Sequence, residues 1–468
     1  MKVLLINLCL RHDTPKKIYP VGLGYVASAI HRAGYPLEIV NVDIHRYSDE
    51  ELKAILSEKD FDVVGFGCIA TGYRVVKDMT SLIRSVNKSA VIIVGNSVAT
   101  SIPNIVLEKT EADIAVIGEG DVTVVELLKC LERKASLESV DGICFKKNNK
   151  VIANKPRPPI PNIDQIPLPE WDLFEMDTYV RESKNYVSEP YPMPKDDIRA
   201  MPLNTARGCV FRCTFCYHVF KNNMYRFRSP ASIIKEIKEF QRRYKINYIN
   251  FWDELTFSSK AQAEALMDEL LKEDLGIFWT GACRSDLFKH KDDAGLAKKF
   301  KLSGCVGLSY SLESANAAIL KSMNKRLNTD DFAAQKHILD DAGIITWTSL
   351  VLGYPEETEE TINETMEFCF RHDLYPSAGF LLPQPGTPMY DYIIANGIIK
   401  DVEGYLLGLG DRQDLRVNLT KMPSERFVAL VKGHLERINK KLNLNLDKDR
   451  LLKSGHYKAK SWKECGNI

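Results

Sequence analysis

Short β-branched runs at residues 3–6, 37–42, 63–66, 91–94 and 114–117 read as buried strands of a parallel sheet. Between them, residues 22–32, 73–86 and 122–131 place apolar side chains at helical spacing. This alternation predicts a doubly wound α/β sheet, whose ligands bind at the carboxyl ends of the strands. The strand–helix period returns further on, with strands expected at 203–206, 248–252, 277–282, 306–311, 344–352 and 378–382. The clearest helices there are 233–244, 261–271 and 330–342. Six such units are too few to close an eight-stranded barrel, so a partial (β/α)6 barrel is expected, with its active residues at strand carboxyl ends.

The stretch between the two periodic regions is proline-dense. Lys155-Pro156-Arg157-Pro158-Pro159 and Ile166-Pro167-Leu168-Pro169-Glu170-Trp171 are followed by Pro190, Pro192 and Pro194. It reads as an extended surface connection and not a helix, pinned to its neighbours by Trp171, Leu173 and Phe174. Residues 390–468 are helical in pattern and lysine-rich, and read as a solvated packing appendix. The expected organisation is α/β: a Rossmann-like doubly wound domain (1–140), a proline-rich linker (141–199), a partial barrel (200–388) and a helical C-terminal region (389–468).

Glycines gather at the predicted strand ends of the first domain: Gly65 and Gly67, Gly95 with Asn96 and Ser97, and Gly118-Glu119-Gly120. Glycine lets backbone approach a ligand closely, although any one of them also fits a tight turn without a ligand. No G-x-G-x-x-G follows the first strand, so a nicotinamide or flavin dinucleotide is not indicated. A net charge of +1 gives no argument for nucleic acid, and no apolar run reaches the length of a membrane span. The apolar start, Met1 to Ile6, is too short for a signal peptide. Eleven cysteines, an odd number without a secretion signal, point to a reducing cytoplasm.

Candidate chemistry concentrates after the first barrel strand, in Arg207-Gly208-Cys209-Val210-Phe211-Arg212-Cys213-Thr214-Phe215-Cys216. Thiolates at C-x3-C-x2-C spacing suit an iron–sulfur cluster or zinc. Zinc wants a fourth ligand, and His218 lies too close behind Cys216 to serve easily. Three ligands on a cluster with four irons leave one corner open, as a catalytic site requires. Arg207 and Arg212 are expected to help hold the thiols deprotonated. Polar groups sit at the other strand ends: Asp253 and Glu254, Arg284, Ser311 with Glu313, and Gly353-Tyr354-Pro355. Structural alternatives are that Asp253 caps a helix and that Glu313 only anchors Arg284. Pro385-Gly386-Thr387-Pro388 reads as a rigid turn.

The cysteine spacing resembles the signature of the radical S-adenosylmethionine (radical SAM) family, C-x3-C-x-aromatic-C, met here by Cys209, Cys213, Phe215 and Cys216. The resemblance implies that these cysteines bind a 4Fe-4S cluster whose fourth iron takes S-adenosylmethionine. Reductive cleavage would then yield methionine and a 5'-deoxyadenosyl radical. It further implies that Asp253 and Glu254 meet the amino group of S-adenosylmethionine, Arg284 its carboxylate, Ser311 and Glu313 its ribose, and Gly353 its adenine. The first domain resembles the cobalamin-binding domain that precedes many such barrels. That likeness rests on Val21-Gly22-Leu23-Gly24-Tyr25-Val26-Ala27, Asp62-Val63-Val64-Gly65-Phe66, Val94-Gly95 with Ala99-Thr100, and Gly118-Glu119-Gly120-Asp121 with Thr123 and Glu126. Gly65, Gly95, Gly118, Glu119 and Gly120 would then cradle cobalamin.

Two departures stand out. D-x-H-x-x-G is absent, since Asp43-Ile44-His45 lacks the glycine, and the Gly-Gly-x-His-Ala-Thr pattern is here Gly95-Asn96-Ser97-Val98-Ala99-Thr100. A cobalt-ligating histidine is therefore not expected, and a domain that has lost its cofactor is the alternative. The implied activity is cobalamin-dependent methyl transfer to an unactivated carbon of a small biosynthetic substrate. An external electron donor such as flavodoxin or ferredoxin is implied with it, and neither nucleic acid nor a membrane span. Radical oxidation, dehydration or cyclisation without use of cobalamin is the rival in the same class. A non-catalytic iron–sulfur sensor or cobalamin carrier is the rival outside it.

Overall fold

A computed structural model describes residues 1–221, 223–410 and 414–452. Val3–Asn7 (β1), Leu37–Asn41 (β2), Val63–Gly67 (β3), Val91–Gly95 (β4) and Ile114–Val116 (β5) pair in parallel in the order β2-β1-β3-β4-β5. The helices Val21–Arg32 and Tyr73–Val86 lie between these strands and Gly120–Glu132 follows the last of them, all close to the predicted bounds. Because the order reverses between β1 and β3, the crevice of this doubly wound sheet opens at their carboxyl ends.

The sheet does not end at β5. Ile143–Lys147 (β6) and Lys150–Ala153 (β7) extend it as an antiparallel hairpin. Asn148 and Asn149 make its turn at φ 49° and 60°, the left-handed pair that a tight hairpin demands and asparagine tolerates. The expected extended connection is therefore interrupted, first by this hairpin and then by the helix Met176–Glu182. That helix holds because Tyr179 and Val180 are buried, and the Tyr179 hydroxyl lies 3.0 Å from the amides of both Asn7 and Asn41. Trp171 and Phe174 are buried as expected, the Trp171 ring 4.8 Å from that of Phe240.

In the second region Ala200–Leu203 (β8) is followed by a two-residue ladder, Ala206–Arg207 (β9) against Arg226–Phe227 (β10). Tyr248–Phe251 (β11), Phe278–Ala282 (β12), Cys305–Ser309 (β13) and Ile345–Trp347 (β14) continue the parallel wall in the order β8-β11-β12-β13-β14. Ser349–Leu352 (β15) and Ser377–Phe380 (β16) complete it. The one strand expected at 344–352 is broken at Thr348, whose Oγ1 accepts from the Leu312 N–H at 3.1 Å. Glu313 bridges onto Leu350, so the wall curls onward past the break. These strands form the expected partial barrel. Its first strand, read at 203–206, begins three residues earlier, at Ala200; Pro202 is tolerated there because β8 is the edge of its sheet, where a missing N–H costs no ladder bond.

The C-terminal region is not the solvated appendix expected. Phe427, Val431, Leu435 and Ile438 of the helix Ser424–Lys441 are at most 1% exposed, within the barrel's core. Each such burial contributes roughly 1.5–3 kcal/mol. The short helix Val402–Leu407 instead sits on the first domain, with Tyr405 and Leu406 buried and Glu403 paired to Lys77 at 2.5 Å. The parts of this region at 411–413 and 453–468 lie outside the described residues. No helix among the described residues is long and apolar enough to cross a membrane.

Candidate active site at the barrel mouth

The cysteine loop is fixed by its backbone before any ligand is considered. Thr214 N–H donates to Met323 O at 2.9 Å, and its Oγ1 lies 2.7 Å from the Tyr354 hydroxyl. Asn324 Nδ2 donates to Arg212 O at 2.9 Å, and Lys221 Nζ to Cys216 O at 2.7 Å. Arg212 spends its guanidinium on the carbonyls of Cys209, Phe211 and Asn223, at 2.8, 3.0 and 3.2 Å. The PGTP turn docks on the same loop: Met389 N–H donates to Thr214 O at 3.2 Å, and Tyr217 covers Gly386. Gly386 is at φ 81° and an added Cβ would strike the Tyr217 ring. Gly386→Ala is accordingly expected to destabilise the protein by about 1–3 kcal/mol. Less than half the wild-type iron should bind per chain while the circular dichroism spectrum is unchanged; full iron content would show that the contact does not set the loop.

Cys213 is buried, Cys209 half-buried, and Cys216 opens to the mouth. Burial pushes the Cys213 thiol up to about 11, opposed chiefly by Lys325. Cys216 is pushed up to about 12, first by the protein crowding it and then by the charges of Cys213 and Cys209. Burial is the largest cause holding all three thiols above their ordinary value, and Cys213 and Cys216 also feel the charge of a neighbouring thiol. A bound metal cluster reverses that, because a coordinating thiol is deprotonated outright. No group of three metal-ligating side chains among the described residues is gathered around a single point. A cluster offers each thiolate a different iron, so its ligands stand further apart than those of one ion.

Of the other strand-end residues, Glu313 is the most exceptional. It is 5% exposed, adopts φ 63°, places Oε1 3.4 Å from Lys325 Nζ, and leaves Oε2 buried with no partner. A left-handed non-glycine backbone is costly and persists where the surroundings impose it. Ser311 Oγ lies 2.8 Å from Ser349 Oγ. Phe215 packs among Ile319, Met323, Val351, Tyr354, Leu381 and Met389. Gly353, at φ 112°, donates its N–H to Glu357, whose carboxyl burial raises to about 7. Glu254 accepts weakly from Gly208 N–H at 3.4 Å.

Four expectations for named residues are corrected by their partners. Asp253 is not free for an ammonium: it accepts from Thr205 N and Oγ1 at 2.8 and 2.7 Å and from Ala206 N at 3.0 Å, bracing the strand end. Arg284 pairs in bidentate fashion with Asp286, at 2.7 and 2.8 Å, and not with Glu313; its guanidinium stacks 5.3 Å from the Phe211 ring. Arg207 turns away from the thiols to Glu119 and Asp121, at 2.8 and 3.0 Å. Glu119 is correspondingly consumed by arginines. Lys325 was missed, and Tyr354 was named only as part of the Gly353-Tyr354-Pro355 turn; nothing in their local sequence signals that the fold brings them to Cys213 and Thr214.

A cavity of about 520 Å³ lies between the two domains. Gly65, Gly67, Gly95, Asn96, Gly118 and Gly120 line one side, and Asn204, Arg207, Trp252 and Glu254 the other. The cysteines do not line it; Arg207, two residues before Cys209, does. Asn96 takes φ 68°, the conformation for which the departed glycine is usually chosen and which asparagine also tolerates. No histidine is among the lining residues, and His45 instead contacts Glu175 at 2.9 Å.

Residues 203–369 match the family model of the Radical SAM superfamily, and residues 8–128 that of the B12 binding domain. An uncharacterised methyltransferase of Pyrococcus horikoshii is 27% identical over 383 residues, covering 81% of this chain and 79% of that one. Among solved structures, the radical S-adenosylmethionine methyltransferase TsrM from Kitasatospora setae, with tryptophan substrate and aza-SAM bound, superposes with a TM-score of 0.67. It is 18% identical and is matched over 84% of this chain and 76% of that one. The cobalamin-dependent S-adenosylmethionine radical enzyme OxsB, with aqua-cobalamin and S-adenosylmethionine bound, gives a TM-score of 0.68 at 18% identity, over 97% and 64% of the two chains. At these identities the structural likeness speaks to the fold.

Proposed function

The chain belongs to the radical SAM enzymes that carry a B12-binding domain, which work with a 4Fe-4S cluster, S-adenosylmethionine and cobalamin, and from that premise we propose that it transfers a methyl group to an unactivated carbon of a small substrate. The observation that carries this reading is the cavity shared by the glycine-rich strand ends of one domain and the mouth of the other. When bound, the reduced cluster supplies the electron that splits S-adenosylmethionine into methionine and a hydrogen-abstracting radical, and cobalamin supplies the methyl group.

The chain's own residues bind, orient and exclude. Cys209, Cys213 and Cys216 hold the cluster, with Lys325 offsetting their negative charge. The unpartnered oxygen of Glu313 accepts from the ribose hydroxyls, and Glu254 is the carboxylate left for the ammonium once Asp253 is committed to the strand end. Gly353 and the buried Glu357 shape the adenine turn. Gly65, Gly95, Gly118 and Gly120 admit the corrin, and Trp252, about half exposed beside them, closes the substrate side. The electron arrives from an external donor such as flavodoxin or ferredoxin. The functional units of this reading are the sheet domain with its hairpin, the linker to 199, the barrel to 388 and the helical remainder.

Equilibration with hydroxocobalamin followed by desalting tests the cavity. Wild type is expected to remain coloured. A Cβ at Gly95 meets nothing nearer than Phe66 O at 4.0 Å, so Gly95→Leu is expected to fill the cavity, with an unchanged circular dichroism spectrum as the check on the fold. Retention should fall by roughly tenfold or more, with iron content unchanged. Equal retention by the variant, or a colourless wild type, would remove cobalamin from this site.

A further inference from the structure

The cysteine loop is an excursion with two feet. β9 and β10 pair with Arg207 directly opposite Arg226, and residues 208–225, the three cysteines included, lie between them. Like charges directly opposite in a ladder repel. Here both guanidinium groups converge on one carboxylate of the other domain. Glu119 Oε1 accepts from Arg207 Nη1 at 2.8 Å and from Arg226 Nη1 at 2.9 Å. Its Oε2 accepts from Ile160 N at 2.6 Å, and Arg226 also donates to Ile160 O at 2.5 Å. Asp121 takes the remaining edge of Arg207 in two bonds of 3.0 Å, balancing two cations with two anions. The four side chains are only 5–14% exposed, and Phe220 of the loop lies beneath both guanidinium groups at 5.8 and 5.7 Å.

We propose that Glu119 is the pivot of an interdomain latch. By gripping both feet of the cysteine loop, it fixes where the cysteines stand relative to the cavity that its neighbours Gly118 and Gly120 line. Glu119, Arg207 and Arg226 are positioning residues, and the carboxylate has no oxygen left for a cofactor. Arg226 Nε and Nη2 are buried without a partner, a cost consistent with a side chain placed for its charge. Removing one member leaves the others buried and unpaired, so the effect reaches both domains. The functional consequence rests on the reading of the cavity and the loop given above; the latch itself rests on these contacts alone.

The test uses the full chain with Glu119→Gln, Arg226→Gln and the conservative Arg226→Lys. In hydrogen exchange without cofactors, both glutamine variants should speed the amides of 206–228 and of 118–121 together, by roughly tenfold or more, with Arg226→Lys in between. Exchange that changes only in the mutated strand overturns the latch. In protein carrying reduced cluster and cob(II)alamin, pulsed electron paramagnetic resonance should give a narrow cobalt–cluster distance distribution in wild type and a broad one in the glutamine variants, at equal iron content. An unchanged distribution overturns the positioning role. Loss of hydroxocobalamin from Glu119→Gln, with Arg226→Gln retaining it and exchanging like wild type, would make Glu119 a direct ligand and refute the latch. A wild type that holds no cobalamin would refute the proposed function, while the exchange experiment would still decide the latch.

Discussion

Replacing Cys213 by alanine is expected to abolish the brown iron–sulfur absorbance and the release of 5'-deoxyadenosine together. Cys213 is 8% exposed and stands between the other two thiols in the loop. Partners one shell outside a metal site already cost 10–100-fold when removed, so a direct ligand should cost more than about a hundredfold in turnover. Circular dichroism should be unchanged, since the loop is held by Thr214, Tyr354, Asn324 and Lys221 and not by the thiol. Retained deoxyadenosine release by this variant would refute the assignment of the cysteines.

Glu313→Gln is expected to weaken S-adenosylmethionine binding by roughly 10–150-fold while iron content stays at the wild-type level. The substitution keeps the side chain's shape and changes one acceptor for a donor. A hydrogen bond to a charged group contributes about 1.5–3 kcal/mol, and leaving its partner unsatisfied costs a similar amount. Lys325→Met removes the other end of the 3.4 Å pair together with the cation beside Cys213, so it is expected to lower iron content, which Glu313→Gln leaves unchanged. Lowered affinity in Glu313→Gln at unchanged iron content places the effect at the ribose contact. Equilibrium dialysis with unaltered affinity would discard that role.

Patterns that depend on neighbours in sequence were legible. Buried parallel strands announced themselves because both faces are covered, and β1, β3 and β4 fall within a residue of their apolar runs. The cysteine loop was legible because a small excursion must supply all three thiols. Asn148-Asn149 was an available hairpin signal that the proline-dense stretch from Pro156 onward obscured. What the sequence hides is partnership across the chain. Arg207 and Glu119 are 88 residues apart, and Arg226 and Glu119 are 107 apart. Each therefore read as serving its own motif, the thiols in one case and a cofactor in the other. Asp253 was misread for a different reason: a carboxylate at a strand mouth looks the same in sequence whether it faces a ligand or braces the preceding strand end. The C-terminal helix looked solvated because its seven charged residues outnumber the four apolar residues that carry its packing.

The most direct test of the central claim is to incubate anaerobically reconstituted wild-type protein with dithionite and S-adenosylmethionine and to analyse the small molecules by mass spectrometry. Accumulation of 5'-deoxyadenosine with methionine is the predicted result. A protein fully loaded with iron and sulfide that releases none would contradict it.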